Sequence, residues 1–71
     1  MIEYAVILER GARNRSAYVP DLPGCVAAAK TREETQKLIQ EAIALHVQLL
    51  REHGDPVPEP TSLATSAAIQ A

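Results

Sequence analysis

Residues 19–25 of the 71-residue chain have the sequence Val-Pro-Asp-Leu-Pro-Gly-Cys. Pro20 and Pro23 each remove a backbone donor, fix φ and push the preceding residue toward extended geometry. Gly24 permits a backbone turn that other residues resist. We therefore predict a rigid, extended corner between two apolar segments, and we call residues 19–25 the corner.

Two segments before the corner have strand patterns. Apolar side chains alternate along residues 2–9, which predicts a strand with one buried face and one partly buried face. Residues 10–15 combine a glycine and an asparagine with three arginines, a composition typical of an exposed turn. A second strand is predicted over residues 16–19, because Pro20 ends it.

A third strand and a helix are predicted after the corner. Residues 25–29 are small and apolar, so another helix or chain can approach them closely. Thr31 followed three residues later by Glu34 makes a capping box. With Gly54 at the other end as a C-terminal cap, the helix is predicted over residues 32–53.

The predicted helix has an apolar face that we expect to cover the sheet. At 100° per residue, this face is centred on Leu38, Ile39, Ala42, His46 and Leu49, and it is flanked by Ile43, Leu45 and Leu50.

Beside Leu45, the same helix carries three glutamates that lie within about 20° of one another on a helical wheel. We call Glu34, Glu41 and Glu52 the acidic stripe. Acidic side chains that border apolar surface can steer a basic protein and then pack against it. A solvated charged edge is the alternative interpretation.

The segment after the helix has alternate prolines at positions 56, 58 and 60, which predict a stiff connection. A weak final strand is predicted over residues 67–71. We expect one domain over residues 1–60, with residues 61–71 as a strand or tail of the same domain.

The composition predicts a thin core. Tyr4 and Tyr18 are the only aromatic residues, and a chain of this length is near the lower limit for a core that is stable unaided. We therefore expect further burial between subunits, in a homodimer or a larger homo-oligomer.

The charge and the termini restrict the class of protein. A formal net charge of −2 does not favour nucleic-acid binding and suits a basic partner. A single cysteine is compatible with a reducing compartment. The sequence shows neither a leader peptide nor an apolar stretch long enough to span a bilayer, so a cytoplasmic location is expected.

The sequence predicts neither a catalytic nor a metal site, and no cofactor. Cys25 would need a nearby base to act as a nucleophile, and burial as a small hydrophobe is the alternative that we favour. His46 and His53 are about 10.5 Å apart along the helix axis, too far to share a metal ion within one subunit.

Taken in order, these residues resemble the HicB-like antitoxins of bacterial and archaeal toxin–antitoxin systems. The resemblance covers roughly residues 4–60. It rests on Tyr4, on Ser16-Ala17-Tyr18 followed by the corner, on the helix start at Thr31 to Glu34, on Glu41-Ala42-Ile43, and on Gly54 with the three prolines behind it. The most specific part is the string Pro20-Asp21-Leu22-Pro23-Gly24-Cys25.

The resemblance implies a β-β-β-α-β domain with a partial ribonuclease H-like topology and no nuclease activity. Members of the family bind and inhibit a small basic toxin that resembles a double-stranded RNA-binding domain and cleaves messenger RNA. On this basis we predict that the partner-binding residues are Asp21, Leu22, Glu34, Glu41 and Leu45.

Several departures from the family pattern limit which properties of the family can be expected of this chain. The family commonly has other residues at the positions of Ala29, Lys30 and Thr35. We therefore expect the chain to enter the helix with a different geometry. Complete antitoxins often carry a C-terminal DNA-binding domain, and the 11 residues after Pro60 are too few for one; we therefore expect no direct DNA binding. Two alternatives stay open: a stand-alone oligomeric interaction module without a toxin, and a residual nuclease that requires a divalent metal.

Overall fold

The structure, a computed structural model, describes residues 2–63, 67–68 and 70. Its elements are β1 (Ile7–Arg10), β2 (Arg15–Tyr18), β3 (Val26–Ala29) and α1 (Arg32–Glu52). The strands form one antiparallel sheet in the order β1-β2-β3, and α1 packs on β3 and β2. The predicted α+β class, a three-stranded antiparallel sheet with one helix on it, is confirmed.

The first strand is shorter than predicted, and Pro20 supplies the reason. The β1–β2 ladder pairs Ile7 with Tyr18. Continuing this register would place Ala5 opposite Pro20, which has no N–H to donate. Residues 2–6 therefore have no strand structure, and the predicted strand over residues 2–9 is wrong for that part.

The other two strands differ from prediction by one residue. The second strand begins at Arg15 and ends at Tyr18. The third begins at Val26, not at Cys25, because the Cys25 N–H donates to the Leu22 carbonyl within the corner, at 3.0 Å.

The predicted helix is confirmed to within one residue. At its start, the Thr31 Oγ1 accepts from the Glu34 N–H at 3.1 Å and its hydroxyl donates to the Glu34 carboxylate at 3.2 Å. At its end, Glu52 is the last helical residue and His53 is the C-cap. Gly54 follows with φ of +71°, a left-handed conformation that glycine adopts without steric cost.

The core lies between the sheet and α1, and it is small. Its fully buried apolar side chains are Ala17, Val19, Leu22, Cys25 and Ile39. Three of these five belong to the corner, so this segment supplies much of the core itself. Partly buried side chains pack around it, among them Tyr4 and Val6 from the segment before β1.

The helix is rotated relative to the prediction. Thr35 and Ile39 are its buried residues, and Ala42 packs beside them. Burial of Thr35 is possible because its hydroxyl donates to the Thr31 carbonyl at 2.7 Å, which satisfies the polar group locally.

Three leucines of α1 are largely exposed. Two of them were expected to cover the sheet, and the third was expected to flank the residues that do. We call them the leucine stripe: Leu38, Leu45 and Leu49, with 41%, 57% and 44% of their surface exposed. The predicted apolar arc is therefore wider than the part of it that the sheet covers.

The segment after α1 returns along the end of the sheet. The Tyr4 hydroxyl donates to the Pro58 carbonyl. Of the predicted strand over residues 67–71, Ala67, Ala68 and Gln70 have no strand structure, and residues 69 and 71 lie outside the described residues. Among the residues that are described, no helix has the length and apolar character needed to cross a membrane.

Candidate partner-binding surface

The corner is closed by its own backbone hydrogen bonds. The Leu22 N–H donates to the Val19 carbonyl at 3.1 Å, and the Val19 N–H donates to the Cys25 carbonyl at 3.2 Å. Gly24 has φ of +84°, so a β-carbon at this position would be strained. The rigid turn that the two prolines predict is therefore present, and it points Leu22 inward and Asp21 outward.

Two corner residues with proposed functional roles are buried. The Leu22 side chain is 0% exposed, so it has no surface to offer a partner, and its predicted role as a contact is wrong. It is a core residue. The Cys25 side chain is buried, and this burial raises the pKa of the thiol above its usual value. A raised pKa leaves less thiolate at neutral pH, which argues against nucleophilic chemistry.

Asp21 holds the segment that follows the helix. Its Oδ2 accepts from the backbone N–H groups of Thr61 and Ser62, at 3.0 and 2.9 Å. Its Oδ1 accepts from the hydroxyls of the same two residues, at 2.9 and 3.0 Å. Both carboxylate oxygens are thus engaged within the chain, and the corner is tied to residues that lie 40 positions away.

These hydrogen bonds lower the pKa of Asp21 below its ordinary value. The Ser62 N–H is the largest cause, desolvation of the half-buried carboxyl opposes it, and the remaining bonds from Thr61 and Ser62 lower the pKa further. A lowered pKa in the folded state means that the contact stabilises the fold above the unfolded pKa, about 3.9. This contribution is lost as the pH falls through the folded pKa.

We expect Asp21→Asn to release residues 61 and 62 from the corner. The amide nitrogen of asparagine cannot accept, so two of the four donors lose their acceptor. Amide hydrogen exchange measured by NMR at pH 6 should show protection of Ser62 in the wild type and its loss in the variant. In the wild type the same protection should be lost on acidification, as the pH falls through the lowered pKa of Asp21 in the folded state.

Glu59→Gln is the matched control, because Glu59 is an exposed carboxylate on the same segment. It should leave the exchange of Ser62 unchanged. Equal protection of Ser62 in the wild type and in Asp21→Asn would mean that the carboxylate does not hold the segment.

The acidic stripe lies on the exposed side of α1, next to the leucine stripe. Glu34, Glu41 and Glu52 are all exposed. Leu45, the most exposed of the three leucines, is the one that falls nearest to the glutamates on the helical wheel. Glu34, Glu41 and Leu45 therefore share one exposed side of α1, whereas Asp21 lies in the corner and bonds the segment after the helix.

A metal site is not supported by the geometry. In the part of the chain that the structure describes, no three His, Cys, Asp or Glu side chains are grouped so that they could hold an ion.

Sequence reasoning missed Thr61 and Ser62 as partners of Asp21. The only local signal is that two hydroxyl residues follow the last proline, and no periodicity connects them with a carboxylate 40 residues earlier. A pattern search along one element cannot detect such a contact, because it depends on how the elements fold back.

The structure combines a small antiparallel sheet, one covering helix and an exposed helix flank that carries acidic and apolar side chains. Comparisons with known proteins give the family. Residues 4–70 match the family described as HicB_like antitoxin of bacterial toxin-antitoxin system. The chain belongs to this HicB-like antitoxin family.

Two individual proteins are similar to the chain. A chain of a solved HicA3 and HicB3 toxin-antitoxin complex matches with a TM-score of 0.70 and 30% identity, over 83% of this chain and 69% of that chain. The UPF0150 protein Ta0767 of Thermoplasma acidophilum is 40% identical over 40 residues. That match covers 56% of this chain and spans 58% of the relative's length.

Proposed function

We propose that this protein is an antitoxin that binds and inhibits a small basic, messenger-RNA-cleaving toxin of the HicA type. The observation that carries the proposal is the exposed flank of α1, where the acidic stripe borders Leu45. Opposite charges accelerate the encounter with a basic protein, and the adjoining apolar surface stabilises the complex after contact. The solved complex of HicA3 with HicB3 supports this kind of partner.

Within this flank, Glu34, Glu41 and Leu45 are the proposed contacts. The two glutamates are exposed carboxylates that can accept from lysine or arginine, and Leu45 offers the largest exposed fraction of the stripe, 57%. We assign Asp21 an intramolecular role, because each of its oxygens already accepts two hydrogen bonds.

The remaining parts of the proposal follow from composition and packing. The protein inhibits by occupying its toxin and performs no catalysis of its own. It acts in the cytoplasm, where the proposed toxin meets messenger RNA. We propose a homodimer, since the five buried apolar side chains in the described part of the chain make a thin core. Residues 61 and 62 are part of the same domain, and the proposal includes no DNA binding, because the exposed flank of α1 is acidic.

Co-purification with the small basic protein encoded by the adjacent gene tests the proposal. We expect the two purified proteins to elute together in size-exclusion chromatography, and we expect addition of this protein to stop cleavage of a messenger RNA by its partner. If the neighbouring gene encodes no small basic protein, or if the mixed proteins elute separately, the antitoxin proposal fails. A stand-alone interaction module would then be the better description.

A further inference from the structure

We infer that the outer edge of β3, which pairs with no strand among the described residues, and the leucine stripe above it form the homodimer surface, through antiparallel pairing of β3 with β3 of a second copy. This inference rests on the homodimer in the proposed function and is independent of toxin binding. It assigns an occupant, a second copy of this chain, to an edge and a helix flank that are both apolar.

The hydrogen-bond pattern of the sheet shows which groups β3 offers. The β2–β3 register pairs Ala17 with Ala27, and in the same register the Val19 N–H donates to the Cys25 carbonyl. Hydrogen-bonded pairs alternate along an antiparallel ladder, so Ala27 directs its polar backbone groups toward β2. Val26 and Ala28 consequently direct their N–H and C=O groups toward the outer edge.

This edge is complementary to itself. A twofold axis beside Ala27 would place Val26 opposite Ala28 of the second copy, and each such pair exchanges two hydrogen bonds. The whole contact would contain four. The strand has the sequence Val-Ala-Ala-Ala and carries none of the charged or proline residues that normally protect an edge from pairing. Val26 leaves 65% of its surface exposed.

The leucine stripe lies on the same side of the molecule as this edge. The opposite flank of α1 carries Gln36, Gln40 and Ile43, which line an open groove together with Val6 and Leu8 from the β1 side of the sheet. On the helical wheel the leucine stripe is on the other side of the buried residues of α1. It therefore projects toward β3.

Pairing of the two edges would bring the two helices together. Because α1 packs on β3 and β2 and strands are about 4.8 Å apart, the helix axes of the two copies would be separated by roughly 10–15 Å. Helices in contact are about 8–10 Å apart, so the leucine side chains meet over the alanines of β3 when the separation of the two helix axes is at the lower end of its range. These small side chains leave room for the approach.

The flank of α1 that carries the leucine stripe is large enough for a dimer interface. The acidic stripe, which is the proposed toxin surface, stays accessible. A standard interface buries about 800 Å² per partner, roughly one-seventh of the 5818 Å² surface of this chain. With 21 residues, α1 provides a flank about 30 Å long. Leu38 and Leu49 would face the second copy, while Leu45 would lie at the rim next to the acidic stripe.

Ala28→Pro tests the edge directly. Proline removes an N–H that points to the outer edge and leaves the ladder to β2 intact. By sedimentation velocity we expect a wild-type dimer at micromolar concentration and a self-association Kd raised roughly a hundredfold in the variant. Ala28→Ser is the matched control, because it keeps the N–H, and it should remain a dimer.

Leu38→Glu tests the helix flank and covers the case in which the proline variant fails to fold. A carboxylate at the helix contact would meet its own copy across the axis, and we expect at least a tenfold higher Kd. Ala44→Glu adds the same charge on the outer side of α1 and should leave the dimer unchanged. A wild-type monomer would disprove the homodimer itself, whereas folded Ala28→Pro and Leu38→Glu variants that stay dimeric would disprove only this surface. Neither result bears on toxin binding.

Discussion

Leu22→Ala should strongly destabilise the protein. Removing a fully buried leucine side chain costs about 2–5 kcal/mol, because transfer energy is lost and a cavity remains. Leu22 is 0% exposed, and among the residues that the structure describes it is one of five buried apolar side chains. A domain of this size has a free energy of unfolding of roughly 4–10 kcal/mol, so a single truncation removes a large share of it. A urea titration followed by far-UV circular dichroism measures the loss.

Leu63→Ala is the control for this prediction. Leu63 is 87% exposed, and truncation of an exposed side chain changes the free energy of unfolding by less than about 0.5 kcal/mol. A Leu22→Ala variant with a urea midpoint close to that of Leu63→Ala would contradict the assignment of Leu22 to the core. It would also make Leu22 available again as a partner contact.

Reversing two charges of the acidic stripe should weaken toxin binding more than any other surface change. In the double variant Glu34→Lys with Glu41→Lys, two attractive contacts with a basic partner become repulsive. We expect the Kd for the toxin to rise roughly a hundredfold at low salt, and we expect the effect to shrink as salt increases. Isothermal titration calorimetry at two salt concentrations measures both quantities.

Glu33→Lys with Glu59→Lys is the matched control, since it changes the net charge of the chain by the same amount. Glu33, like Glu34, lies in the first turn of α1, so both pairs also remove one favourable helix-dipole interaction. The control should bind nearly as the wild type does. Equal weakening by the two pairs would mean that net charge, and not the acidic stripe, determines affinity.

The helix was predictable because its signals are local. Thr31 and Glu34 are three residues apart and bond to each other, and Gly54 adopts a conformation that glycine alone favours. The corner was predictable for the same reason, since Pro20, Pro23 and Gly24 restrict their own backbone. In such segments the residues that carry the signal also make the contacts.

The sequence-based predictions were wrong where the result depended on packing or pairing between two elements. The apolar arc of α1 is wider than the surface that β2 and β3 cover, so the sequence could not indicate which part of the arc is buried. Thr35 is buried because its hydroxyl finds the Thr31 carbonyl, a solution that hydropathy alone does not reveal. The length of β1 depended on Pro20, which lies in the corner just after β2.

The candidate site was predicted in part. Glu34, Glu41 and Leu45 share one helix, so helical periodicity was enough to group them. Asp21 and Leu22 are neighbours in the sequence but point in opposite directions, because the corner turns between them. Their separation into a surface residue and a core residue required the folded backbone.

The contacts of the segment after α1 also determine when folding can be completed during synthesis. The Tyr4 hydroxyl can form its hydrogen bond only after Pro58, 54 residues later, has been synthesised. Asp21 likewise requires Thr61 and Ser62. The ribosomal exit tunnel still encloses these late residues after the hairpin and the corner have emerged. A nascent chain therefore presents Asp21 to water, with both carboxylate oxygens free, until Thr61 and Ser62 have left the tunnel.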